Sequence, residues 1–131
     1  MPNDCYNRVT IGGSEDVINM LRENEFLFEK LRPLDTYNNE TCVEFWGTKW
    51  ERTKYKPIKK GDTGLKIRFT TAWNPPFKLF EYLIETYDIW LKCMWDEEGG
   101  ESGVFVGKKG KEPLIVTWED WCLEEYYARL Y

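Results

Sequence analysis

The stretch GLKIRFTTAWNPPFKLFEYLIETYD, from Gly64 to Asp88, changes its apolar period halfway along. Up to Trp73 the residues alternate: Leu65, Ile67, Phe69, Thr71 and Trp73 fall on one side, and Lys66, Arg68, Thr70 and Ala72 on the other. That is the period of a half-buried strand. Beyond Asn74 the period becomes 3.6, and Phe80, Leu83, Ile84 and Tyr87 form one stripe of a helix. Asn74 is a good cap, and Pro75 and Pro76 suit a first helical turn, where a missing N–H costs little. Each element has one apolar face, so the unit demands a helix laid on a sheet.

The rest of the chain supplies the partners. CYNRVTI alternates, with Cys5, Asn7, Val9 and Ile11 on one side and Tyr6, Arg8 and Thr10 on the other; Gly12 and Gly13 end this strand. Ser14 then caps a helix over about 15–24, with Glu15 and Asp16 at its positive end and Val17, Ile18, Met20 and Leu21 as its apolar face. FLFEKLRPLD is a short apolar piece that Pro33 stops, and DTYNNET reads as loop. From Val43 the pattern is strand-like through WGTKWERTKYK, ending at Pro57 and a turn around Gly61 and Asp62. A strand over Ile89 to Trp95, the turn EEGGESG, a short strand GVFVG, the basic turn KKGKEP and a helix from about Thr117 complete the chain, with Cys122, Leu123, Tyr126 and Leu130 on one helical face. This order predicts an α+β protein: a ferredoxin-like split βαβ antiparallel sheet with two helices on one face, plus a C-terminal strand and helix extension. A length of 131 residues suits one domain, with a core of about 5–95 and an extension of about 104–131.

Several chemistries are excluded by what is absent. There is no histidine, so a cysteine or serine nucleophile lacks its usual base. Cys5, Cys42, Cys93 and Cys122 lie far apart without a CxxC pair, which argues against a metal site. The carboxylates of Asp96, Glu97, Glu98 and Glu101 around Gly99 and Gly100 read as a solvated turn. No glycine motif for a nucleotide cofactor occurs, and no apolar run is long enough to span a membrane. The expectation is a reduced, cytoplasmic protein with no cofactor, no metal and no catalytic activity.

Charge is unevenly spread. Residues 46–70 hold eight Lys and Arg against two acidic residues, while residues 1–45 hold four against nine and residues 71–131 hold six against twelve. The candidate binding residues come from this basic middle: Trp46, Lys49, Trp50, Arg52, Lys54, Lys66 and Arg68. In a strand, Trp46 and Trp50 share one face, either packing at a sheet edge against Trp73 or offering an aromatic platform. Lys66, Arg68 and Thr70 point away from the helices, joined by Tyr6, Arg8 and Lys92. Such a face binds single-stranded nucleic acid in RNA-recognition domains. An acidic, aromatic final helix with Trp118, Glu119, Asp120, Trp121, Glu124 and Glu125 offers itself as an internal cover for the same face.

The opening MPNDCYNRVTIGG, then FLFEKLRPLD, WGTKW and FTTAWNPP in that order, resembles the ferredoxin-like domain of the YubB type, found in proteins of phages, viruses and conjugative plasmids. The resemblance covers roughly residues 1–95. It rests on Pro2, Asn3, Cys5 and Asn7, on Trp46, Gly47, Thr48, Lys49 and Trp50, and on Trp73, Asn74, Pro75 and Pro76. It implies the same fold and a mobile-element setting, and brings no catalytic residues. The function expected on these grounds is a non-catalytic accessory protein that binds a host or viral protein, with nucleic-acid binding by the basic sheet face as the alternative.

Overall fold

The computed structural model describes residues 3–118. Strand β1 (Asp4–Gly12) leads into helix α1 (Glu15–Glu23), two short helices α2 (Phe28–Leu31) and α3 (Asn39–Phe45), the hairpin β2 (Thr53–Lys60) and β3 (Gly64–Ala72), helix α4 (Phe77–Tyr87), and strands β4 (Trp90–Glu97), β5 (Ser102–Lys108) and β6 (Leu114–Trp118). The strands form one sheet in the order β2-β3-β1-β4-β5-β6, every neighbouring pair antiparallel. The first four positions of that order are the ferredoxin-like core expected from the sequence, and β5 and β6 extend it on one side.

One face of the sheet meets the helices. Val9 and Ile11 from β1, Leu65, Ile67 and Phe69 from β3, Leu91, Cys93 and Trp95 from β4, and Phe105 from β5 share a core with Ile18 and Leu21 of α1 and with Leu79, Phe80, Leu83 and Ile84 of α4. Ser14 caps α1 as its sequence position suggests, its hydroxyl accepting from the Val17 N–H at 3.4 Å. The α2 N-terminus is held from a distance: the Glu51 carboxylate accepts from the Phe28 N–H at 2.8 Å and the Glu29 N–H at 3.0 Å, placing negative charge on helical donors that have no partner within the helix.

Four local expectations are corrected. DTYNNET is not all loop, because Asn38 and Thr41 make a reciprocal capping box that starts α3, with Thr41 N–H donating to Asn38 Oδ1 at 2.9 Å. The FWGTKW stretch is therefore not a strand; it is the end of α3 and a bend, and β2 begins only at Thr53. Pro57 does not end that strand, which continues to Lys60. An edge position permits it, since β2 pairs only with β3 and one of its sides needs no ladder hydrogen bonds. Residues 114–118 form strand β6, where the sequence pattern suggested a turn passing into a helix. The rest of the expected final helix lies outside the described residues.

Strand β2 carries two irregularities. Thr53 lies opposite Thr70 and Lys56 opposite Arg68, so two residues, Lys54 and Tyr55, face one; a second shift falls between Pro57 and Lys59. Lys54 adopts a positive φ of 51°, which an L residue resists, and this turns the strand by one position. Tyr55 thereby packs against the core while Lys56 moves to the opposite side of the sheet.

Candidate functional site

The two most distinctive motifs meet, and they meet as structure. Trp46 caps α3, is fully buried, lies 5.5 Å from the Phe28 ring and donates its Nε1–H to the Arg32 carbonyl at 3.0 Å. Gly47 has φ +90°, and a Cβ there would meet the Phe77 and Lys78 backbone nitrogens at 3.1 and 3.0 Å. Its carbonyl accepts from Asn74 Nδ2 at 2.5 Å, the Thr48 hydroxyl donates to the Ala72 carbonyl at 3.0 Å, and Lys49 Nζ sits 4.0 Å above the Trp73 ring. WGTKW and TAWNPP thus clasp the corner where β3 turns into α4.

Trp46 is in consequence a core residue and not part of a binding platform, and it has no shared strand face with Trp50, which is half-buried in the bend. Lys49 stands on Trp73. Arg52 donates its Nε–H to the Glu25 carbonyl at 3.0 Å and lies 4.5 Å from the Tyr55 ring. None of these four shares a surface with Lys54, Lys66 and Arg68, which the fold does bring together on the sheet face away from the helices.

The strand register lays that face out in rows. One row runs Lys56, Arg68, Arg8, Met94, Val104, Val116 from β2 to β6, and the next runs Lys59, Lys66, Thr10, Lys92, Val106, Leu114. A third holds Thr53, Thr70, Tyr6, Asp96 and Ser102. Among the described residues no helix packs on this side. Two hollows of about 450 and 540 Å³ cross it and share Arg8: the first is lined by Tyr6, Lys54, Lys56, Arg68 and Asp96, the second by Ile58, Lys66, Lys92 and Met94. The sequence reading missed Lys56 and Lys59: Lys56 shares the parity of Lys54 and follows from alternation, whereas Lys59 has the opposite parity and comes opposite Lys66 only through the shift between Pro57 and Lys59.

The register also sets like charge opposite like charge, Arg8 facing Arg68, Lys56 facing Arg68 and Lys59 facing Lys66. Such cross-strand pairs are destabilising. Among the described residues one ion pair relieves them, Arg8 to Asp96 at 3.9 Å between exposed groups. The described thiols offer no competing chemistry: burial pushes the Cys5 thiol up to about 12 and the Cys93 thiol well above its ordinary value, so both stay protonated at neutral pH. No group of three or more Cys, Asp and Glu that could hold a metal is found among the described residues.

No curated protein and no solved structure matches the chain. A family model described as a ferredoxin-like domain in Api92-like protein does match, over residues 45–128. That segment opens at the clasp and takes in the basic hairpin, α4 and the three strands that follow. A match over more than half of the sequence, together with the observed β2-β3-β1-β4 sheet core, places the chain in the family of ferredoxin-like domains of Api92-like proteins.

Proposed function

We propose that the protein is a non-catalytic accessory protein of a phage, virus or conjugative plasmid, acting in the host cytoplasm, and that the sheet face on which no described helix packs binds single-stranded nucleic acid. The observation that carries this is the register: cations of β1, β2 and β3 face one another across the sheet, where an acidic partner opposite would stabilise the fold. An arrangement that costs stability and gathers positive charge around two hollows suits a ligand with its own spaced negative charges, as a phosphate backbone has. Exposed Tyr6 in the row beside Arg8 and Arg68 supplies a stacking surface. The absence of histidine and the protonated, buried thiols support the non-catalytic part.

A protein partner from host or virus is the second reading, and β6 supports it. Leu114 and Ile115 are 54% and 47% exposed on the strand at the far edge of the sheet, where an extended segment of another chain can pair.

Fluorescence anisotropy with a labelled single-stranded oligonucleotide tests the first reading. Four phosphate contacts give a slope of log affinity against log salt of roughly −3, and reversing Lys54, Lys66 and Arg68 to Glu abolishes binding without lowering the thermal midpoint. Absence of binding at low salt, or binding unchanged by the triple reversal, rejects it.

A further inference from the structure

Among the described residues the basic face carries a carboxylate at Asp96, and its position is specific. Asp96 lies directly opposite Tyr6 across the β1–β4 ladder, which brings a carboxylate alongside an aromatic ring. Tyr6 is 45% exposed. The Asp96 carboxylate is oriented from two sides: the Ser102 hydroxyl donates to Oδ1 at 2.6 Å, and the Arg8 guanidinium lies 3.9 Å from Oδ2. Tyr6 and Asp96 line the first hollow together with Lys54, Lys56 and Arg68, and about 450 Å³ is ample for a nucleobase.

A carboxylate repels phosphate, so the backbone of a bound strand must run along the Arg8, Arg68 and Lys56 side, leaving the Tyr6 and Asp96 corner to a base. An ionised carboxylate only accepts hydrogen bonds. Guanine presents two adjacent donors on its Watson–Crick edge, N1–H and the N2 amine. Adenine and cytosine offer an amine beside an acceptor, and uracil one N–H between two carbonyl oxygens, so each would set a lone pair against the carboxylate.

We propose that Tyr6 and Asp96 form a guanine-reading subsite on the sheet face, the base stacking on the Tyr6 ring and donating N1–H and N2–H to Asp96 while its phosphate lies toward Arg8 and Arg68. This rests on the nucleic-acid reading above and adds base selectivity to a surface otherwise suited to any strand.

The test compares three single-stranded RNAs on the full chain: an all-uridine strand, the same strand with one central guanosine, and the same with inosine there, which lacks the N2 amine. The guanosine strand binds about tenfold tighter than all-uridine, and inosine falls between them. Asp96→Asn removes the difference while leaving all-uridine binding equal or stronger, since a negative charge is gone. Tyr6→Ala weakens all three, and Tyr6→Phe restores them because the ring is what stacks. Equal affinity for the guanosine and all-uridine strands, or a preference that survives Asp96→Asn, overturns the subsite and leaves the nucleic-acid reading standing. Binding of none of the three overturns both.

Discussion

The sheet face on which no described helix packs is two surfaces joined at β1. A single row of the ladder passes from Lys56, Arg68 and Arg8 to Met94, Val104 and Val116, so three cations give way to three apolar side chains within one line of paired residues. In the basic half the outward cations are exposed and mutually repelling; in the other half Val104 is fully buried, with Met94, Val106 and Val116 half-buried against it. The difference teaches that sheet position alone does not decide a side chain's task. Strands at one end of this sheet hold the fold together on both faces, while strands at the other end do so on one face and leave the second for something else.

The largest test of that contrast is to put the same charge into each half. Val104→Asp places a carboxylate among Met94, Val106 and Val116 and lowers the unfolding free energy by on the order of 3 kcal/mol. Arg68→Asp, in the same row, changes it by less than about 1 kcal/mol. Urea denaturation of both variants gives the comparison, and equal losses would erase the distinction between the halves.

A smaller effect comes from strain, which the basic half carries at its bulge. Lys54→Gly relieves the positive φ and raises stability by about 1 kcal/mol, and it also takes one cation from the first hollow. The salt slope of oligonucleotide binding then falls by roughly 0.7. Stability and binding moving in opposite directions is the expected outcome; a loss of stability would show that the bulge is not strained.

The smallest effect is electrostatic. Arg68→Thr removes the like charge facing both Arg8 and Lys56, and raises stability by about 0.5 kcal/mol at low salt, a gain that disappears in molar salt where charges are screened. Thermal unfolding at two ionic strengths measures it. No gain at low salt would mean that the facing cations do not repel, and the argument from register would lose its force.

Much of the fold was legible because period-two and period-3.6 runs stand side by side: β1, β3, α4 and β4 follow from their periods, and their order implies the sheet. Lys66 and Arg68 were legible for the same reason. Asn74, however, does not cap α4, whose N-cap position is Pro76, and instead donates to the Gly47 carbonyl. What alternation could not show is a change of phase. Lys59 comes opposite Lys66 only because the register shifts between Pro57 and Lys59. Trp46 was misplaced because its neighbours look strand-like once the Asn38 and Thr41 capping signal, three residues apart, is passed over. The strand β6 hid in a short apolar run just after Pro113, too brief for its period to be distinguished.

The two rims of the sheet differ in whether another strand can be added. At β2, two bulges and Pro57 break the regular sequence of free donors and acceptors that a newcomer would need. At β6 the described residues pair in unbroken register with β5 and present Leu114 and Ile115 outward. Polymerisation by strand addition requires growth at both rims of every copy. With one rim irregular, strand exchange between copies terminates after a single joining event, and a crowded solution of this chain is protected from fibre growth by the same irregular strand that carries four of its twelve lysines.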